Sequence, residues 1–190
     1  MARPRRIEGY AIVSTEGMIA DAQRHMPEAL KLDADQRFFH ESLDAAQAVA
    51  HGRHSHEGGA DSARRHRLIL TRRIPGLAPD PTHPNALLWN PAGADFALAW
   101  EMLGAGDGVL AVVGGTDVFG LFLEIGYDAF HLSHARHAHV PAGRPVFPQV
   151  PARTPDDVLR SYGLQPDPER VLDAKAGVTL VTWRSAGARC

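Results

Sequence analysis

One stretch near the middle of the chain restricts the fold most strongly. Residues Val109–Val113 form a continuous apolar run that stops at Gly114 and Gly115 and continues into the amphipathic stretch Val118–Ile125. The run predicts a buried strand, and the apolar residues at helical spacing predict a helix. Because glycine has no β-carbon, a ligand can approach the backbone closely at this junction. The pattern therefore predicts a nucleotide-cofactor site, with an ordinary glycine turn as the alternative.

Strand-like and helix-like periods alternate along the chain, which is typical of helices packed over a largely parallel sheet. The predicted strands are Ile7–Ser14, Ala48–His51, Arg67–Thr71, Asn85–Trp89, Val109–Val113, Ala129–Ala135 and Val178–Arg184. The predicted helices are Asp35–Ala45, Ala92–Leu103 and Val118–Ile125. Proline and glycine mark loops at Glu57–Ala63, Ile74–Pro84 and Val140–Thr154. We expect one domain over residues 1–190, since one core commonly serves a chain of this length.

Composition excludes several classes of protein. The formal net charge is -2, so the chain lacks the basic surplus that a nucleic acid or an anionic membrane would require. Its only cysteine, Cys190, permits neither an intrachain disulfide nor a cysteine metal cage. The apolar runs are far shorter than the roughly 18 residues that span a bilayer, and no hydrophobic segment follows the basic start Met1–Arg6. We expect a cytoplasmic protein.

Cationic residues follow two of the predicted strands. Arg53, His54 and Ser55 come after the first of them, and Arg72 and Arg73 come after the second. These side chains can donate hydrogen bonds to phosphate oxygens. The ends of successive parallel strands lie on the same edge of a sheet, where open α/β sheets bind ligands. The sequence thus predicts a phosphate-binding edge, with solvated surface arginines as the alternative.

Taken in order, these motifs resemble the dihydrofolate reductase family from about Ile7 to Pro148, with a weaker match over Val178–Arg184. The matching segments are Ala11–Val13, Gly17–Ile19, Met26-Pro27, Gly52–Ser55, Leu68–Thr71, Val113–Gly115, Phe130–His134 and Gly143–Pro148. The resemblance implies a three-layer α/β/α fold with a central mixed, mostly parallel sheet. It also implies an NADPH-dependent reductase that converts dihydrofolate to tetrahydrofolate.

The resemblance assigns a set of residues to the cofactor. Arg72 would lie near the 2′-phosphate, and a cis peptide bond would join Gly114 to Gly115. Asp117 departs from the family, because many members have an arginine or another residue suited to phosphate there. The residues implied to contact NADPH are Ile19, Arg53, His54, Ser55, Thr71, Arg72, Gly114, Gly115, Thr116, Asp117 and Val118.

The pterin site of the family has one ionisable residue, an acid on the first long helix four residues before a phenylalanine. Asp35 and Phe39 have this spacing, but Asp33 also fits if the gap is placed differently. Ser133 matches the hydroxyl residue that supports the acid, so Asp35 and Ser133 form the implied catalytic pair. Arg65 falls where the family holds the carboxylate of the folate tail. The residues implied to contact the substrate are Ala11, Ile12, Asp33, Phe39, Arg65 and Val113.

The resemblance also implies a mechanism, in which a hydride passes from the nicotinamide to C6 of dihydrofolate and N5 gains a proton. Asp35, buried between Phe39 and the first strand, is expected to have a raised pKa and to bind the amino-pyrimidine edge of the pterin. The segment Glu16–Pro27 is the expected mobile lid. Glu28 departs from the family, which usually has an aromatic residue there, and Arg144 replaces an acid.

Two alternatives remain open. One is the reductase domain of riboflavin biosynthesis, which shares this fold and NADPH site. The other is a nucleotide- or metal-binding protein without turnover.

The chain has 11 histidines, and His137 and His139 would share one face of a strand. No nearby carboxylate completes an obvious set of ligands, so we expect no metal site. The expected partner is a small pterin or related heterocycle, with no nucleic acid and no membrane, bound by a monomer or homodimer.

Overall fold

The computed structural model describes residues 3–53 and 64–187. The helices are α1 (Asp33–Asp44), α2 (Phe96–Leu103), α3 (Thr116–Ile125) and α4 (Pro155–Ser161). The strands are β1 (Arg6–Val13), β2 (Met18–Ala20), β3 (Ala48–Gly52), β4 (His66–Leu70), β5 (Leu77–Pro79), β6 (Ala86–Trp89), β7 (Val109–Val112), β8 (Ala129–Ala135), β9 (Arg144–Pro145), β10 (Leu164–Pro166), β11 (Arg170–Asp173) and β12 (Val178–Ser185). Within the described ranges, none of the helices combines the length and the apolar character needed to cross a membrane.

Ten strands form one sheet in the order β10-β12-β8-β1-β7-β3-β4-β6-β5, with β11 also beside β12. The six strands from β8 to β6 run parallel, whereas β12, β10, β11 and β5 are antiparallel to their neighbours. This arrangement confirms the predicted mixed, mostly parallel sheet. Because the six central strands point the same way, their carboxyl ends lie along one edge of the sheet.

Helices cover both faces of the sheet, which gives the predicted three layers. On one face, Leu43 of α1 packs with Tyr10 and Val49 of the sheet. On the other face, residues of α2 and α3 such as Trp100 and Phe122 join the larger apolar core. These aromatic and aliphatic stripes are buried because each helix is apolar on the side that faces the sheet.

The predicted strands are all present, but several boundaries and loops differ. α2 begins at Phe96 rather than Ala92, because the Asp95 side chain accepts a hydrogen bond from the Leu98 amide and caps the helix there. The short strands β5 and β9 lie in two segments predicted as loops. Their two or three residues, which include proline, are too few to show an alternating pattern. The predicted loop Glu57–Ala63 lies outside the described residues.

Candidate active site

The glycine junction lies at the carboxyl edge of the sheet, between β7 and α3. The Gly114–Gly115 peptide bond is cis, as the family resemblance implies. The Gly114 carbonyl accepts a hydrogen bond from the Gly52 amide at 3.0 Å. Gly52 is the last residue of β3 and precedes Arg53, so this bond joins the two segments that were predicted to bind phosphate.

The amino terminus of α3 opens from this junction. Gly115 is the N-cap residue, and no side chain within residues 3–53 and 64–187 caps the helix. Among the residues that the structure describes, none has an atom within 4 Å of a β-carbon at Gly115, so these residues leave the space beside the cap open. The first amide groups of a helix have no partner within it and attract anions. The side chains of Thr116 and Val118 have structural roles here. The Thr116 hydroxyl donates a hydrogen bond to the Pro145 carbonyl, and Val118 is buried.

Two oppositely charged side chains meet beside this helix terminus. Arg72, two residues beyond β4, has its Nη2 3.4 Å from Oδ2 of Asp117 in the first turn of α3. Thr71 is buried, and its hydroxyl accepts a hydrogen bond from the Arg73 amide at 3.2 Å. Arg53 is half-buried directly after β3. The other two residues of the predicted phosphate turn, His54 and Ser55, lie outside the described residues.

Asp35 and Ser133 are brought together beneath the first turn of α1. Both are buried, with 8% and 1% of their surfaces exposed, and a side-chain hydrogen bond joins them. Burial raises the pKa of Asp35, and the bond from Ser133 offsets part of that rise. The direction agrees with the expectation from sequence. Asp33, the other candidate acid, is exposed, so the two candidates differ in burial.

The remaining residues of the implied substrate site fall into two places. Ser133 lies beside Ile12 in the β1–β8 ladder, and Ile12 is buried. Ala11, Phe39 and Val113 are half-buried. Phe39 lies on α1 with its ring 6.4 Å from that of Tyr10.

Arg65 lies at the other end of α1. Its Nη2 donates to Oδ1 of Asp44 at 2.6 Å, and both residues line a cavity of about 310 Å³. Asp44 lies nine positions after Asp35 on α1, which corresponds to about 14 Å along the helix. The predicted tail-binding arginine therefore faces a carboxylate of the chain itself, far from the buried acid.

The first part of the predicted lid forms a short strand. Met18 and Ala20 pair with Pro145 and Arg144 in the two-stranded sheet β2–β9, and Ile19 lies between them. This part of the segment is therefore paired with a second loop, and the lid over Glu16–Pro27 stays a prediction.

Hydrogen bonds of Glu16 connect this segment to the loop that follows β8. Its carboxylate accepts hydrogen bonds from the Ser14 hydroxyl at 2.6 Å and the Val140 amide at 3.0 Å, and it lies 3.0 Å from Nδ1 of His139. These bonds, that from Ser14 above all, lower the pKa of Glu16 to about 2. The prediction that His137 and His139 share a strand face is wrong, because β8 ends at Ala135. Over residues 3–53 and 64–187, no three histidine, cysteine or acidic side chains gather as metal ligands.

Sequence reasoning missed a buried polar network below α1. The Tyr10 hydroxyl donates to Oε2 of Glu8 at 2.6 Å, and Nε2 of His131 lies 3.4 Å from the same oxygen. The Tyr10 and His131 rings stack with centroids 4.7 Å apart. Burial tends to raise the pKa of Glu8, but the hydrogen bonds from His131 and Tyr10 outweigh it and lower the pKa to about 2. The available signal was a glutamate within the mostly apolar strand β1.

Comparisons with known proteins give structural neighbours only. No family model matches the sequence, and no curated protein matches it. A diaminohydroxyphosphoribosylaminopyrimidine deaminase/5-amino-6-(5-phosphoribosylamino)uracil reductase from Thermotoga maritima is similar in structure, with a TM-score of 0.67 and 16% identity over 97% of this chain. This chain spans only 57% of that enzyme.

Two further solved structures are similar over nearly their whole length. A riboflavin biosynthesis protein from Shewanella sp. PV-4 has a TM-score of 0.62 and 14% identity, with 94% of this chain and 98% of that chain covered. A dihydrofolate reductase from Enterococcus faecalis, complexed with NADP(H) and RAB-propyl, has a TM-score of 0.65 and 15% identity, with 98% and 99% covered. At such identities the likeness concerns the fold.

Proposed function

We propose that this chain, which has the dihydrofolate reductase-like fold, is an NADPH-dependent reductase that converts dihydrofolate to tetrahydrofolate. The observation that carries the proposal is the buried Asp35 carboxyl, hydrogen-bonded to Ser133 at the carboxyl edge of the sheet. Only strand β1 separates β8, which holds Ser133, from β7, which leads into the glycine turn. A buried acid whose pKa is raised, beside an anion-attracting turn, is typical of an active site.

The residues around the glycine turn suit a pyridine dinucleotide. The amino terminus of α3, which no described side chain caps, and the space that the described residues leave at Gly115 would accept its pyrophosphate, and Arg53 lies on the neighbouring turn. Asp117 is the exception, because a carboxylate in the first turn of α3 repels phosphate. When bound, the reduced nicotinamide supplies the hydride.

The residues of the chain would orient the substrate and control its proton. Asp35 would hydrogen-bond the amino-pyrimidine edge of the pterin, and its raised pKa would bring proton exchange closer to neutral pH. Ser133 would hold the carboxyl group in position. Ile12, Phe39 and Val113 would pack against the rings and exclude water, so that the reacting atoms stay aligned.

A reductase of the riboflavin pathway type is the second candidate. One of the solved structures with this fold is described as a uracil reductase and another as a riboflavin biosynthesis protein, and their similarity is comparable to that of the dihydrofolate reductase. The pairing of Arg65 with Asp44 also favours it, because a folate tail carboxylate would have to displace Asp44. Its substrate would be a ribosylated pyrimidine rather than a pterin.

The decisive assay follows NADPH absorbance with each substrate in turn. We expect oxidation with dihydrofolate, blocked by methotrexate. Oxidation only with 5-amino-6-(5-phosphoribosylamino)uracil would favour the second candidate. NADPH binding without oxidation of either substrate would leave a nucleotide-binding protein without turnover, and the absence of binding would contradict both reductase proposals.

A further inference from the structure

The ion pair between Arg72 and Asp117 joins two segments of the candidate cofactor edge. Arg72 follows β4, whereas Asp117 lies 45 residues later in the first turn of α3. Their side chains are 84% and 71% exposed, and the two charged atoms are 3.4 Å apart. The positive charge of the Arg72 guanidinium group is thus neutralised by Asp117, an acid of the chain itself.

The position of Asp117 in the first turn of α3 explains why a carboxylate is tolerated at this edge. A carboxylate in the first turn of a helix is stabilised by the helix dipole, and no described side chain caps α3. The same amide groups attract phosphate, so Asp117 and an anionic ligand compete for one region of positive potential. Because both side chains are exposed, water screens their attraction. Separating Arg72 from Asp117 therefore costs little free energy.

NADPH and NADH differ only in the 2′-phosphate on the adenosine ribose. A 2′-phosphate carries negative charge and would pair with Arg72 only after Asp117 has released it. NADH has no such group and would leave the ion pair closed. The ion pair therefore weakens the binding of NADPH relative to that of NADH.

We propose that Asp117 is a specificity-determining residue, which competes with the 2′-phosphate for Arg72 and so narrows the preference for NADPH over NADH. The inference rests on the proposed function, since it concerns the cofactor of the same site. Asp117 thereby sets the selectivity of the site without contributing a contact to the dinucleotide.

The test measures dissociation constants for NADPH and NADH by nucleotide fluorescence at fixed low salt. Asp117→Asn should tighten NADPH binding about threefold more than NADH binding, the scale of an exposed ion pair. In the Arg72→Gln background, Asp117→Asn should change the binding of the two dinucleotides equally. Asp107→Asn is the matched control, because Asp107 is exposed just before the amino end of β7, on the opposite edge of the sheet.

Three outcomes would overturn the proposal: equal tightening of both dinucleotides, a preferential gain for NADPH that persists without Arg72, and no change in either constant. Equal tightening would show that Asp117 acts on the shared pyrophosphate. The gain should also shrink as salt rises, because exposed charges are screened. If neither dinucleotide binds any variant, the proposed function itself fails, which differs from all of the preceding results.

Discussion

Ser133 of strand β8 hydrogen-bonds the buried carboxyl group of Asp35 on helix α1. Two effects on the pKa of Asp35 therefore oppose each other: burial raises it, and the hydrogen bond lowers it. The balance sets the pH at which this acid gains or loses its proton. Two substitutions, one at each end of the hydrogen bond, test the arrangement.

Asp35→Asn should abolish most turnover at neutral pH while leaving NADPH affinity nearly unchanged, because the acid lies on the substrate side of the site. Asp33→Asn is the matched control, since Asp33 is exposed two residues earlier on the same helix. It should leave turnover intact. Steady-state kinetics and dinucleotide titration of both variants measure these effects, and the opposite ranking would move the pterin-site role to Asp33.

The same substitution has a consequence for stability. Folding raises the pKa of Asp35, so its ionised form costs stability above the folded pKa. That cost disappears as the pH falls from the folded pKa to the unfolded value near 3.8. Asp35→Asn should therefore be at least as stable as the parent at neutral pH, and any advantage should vanish in acid. Urea unfolding at several pH values checks this.

Ser133→Ala should move the inflection that Asp35 causes in the pH profile of kcat/KM to higher pH. The hydroxyl stabilises the ionised carboxyl, so its removal leaves burial to raise the pKa unopposed. Ser133→Thr keeps a hydroxyl and should keep the parent inflection. An unchanged profile in Ser133→Ala would show that the hydrogen bond does not tune the acid.

Glu8→Gln should destabilise the fold by about 3 kcal/mol at neutral pH, because it leaves His131 beside an uncharged group in a buried network. Folding lowers the pKa of Glu8 from 4.5 to about 2, so its contribution is complete above pH 4.5 and is lost as the pH falls towards 2. The difference from the parent should narrow over that window. Glu101→Gln, on the exposed side of α2, should change the free energy of unfolding little.

Gly9→Ala should destabilise the fold by about 2 to 3 kcal/mol or prevent folding. A β-carbon at Gly9 would lie 2.3 Å from the ring of Phe130, which is fully buried. β1 is paired with β7 and β8 on its two sides, so its backbone cannot shift away. Gly187→Ala is the control, because no atom of a described residue lies within 4 Å of a β-carbon there. Equal melting temperatures for the two variants would contradict the packing argument.

The main strands and the glycine junction could be predicted from the sequence because their signals are local. The apolar run before Gly114 and the helical spacing after it involve residues close in sequence, and both elements form where predicted. Short edge strands such as β9 carry no such signal, since two residues cannot show a period.

The candidate site required the tertiary structure wherever partners are distant in sequence. Asp33 and Asp35 are both acids in the first turn of α1, and only the packing of the helix on the sheet buries one and exposes the other. The pairs Glu8–His131 and Arg72–Asp117 form because separate strands and helix ends meet in space. Local periodicity thus established the elements and their order. Burial and charge pairing were decided by the way those elements pack, because both depend on contacts between remote parts of the chain.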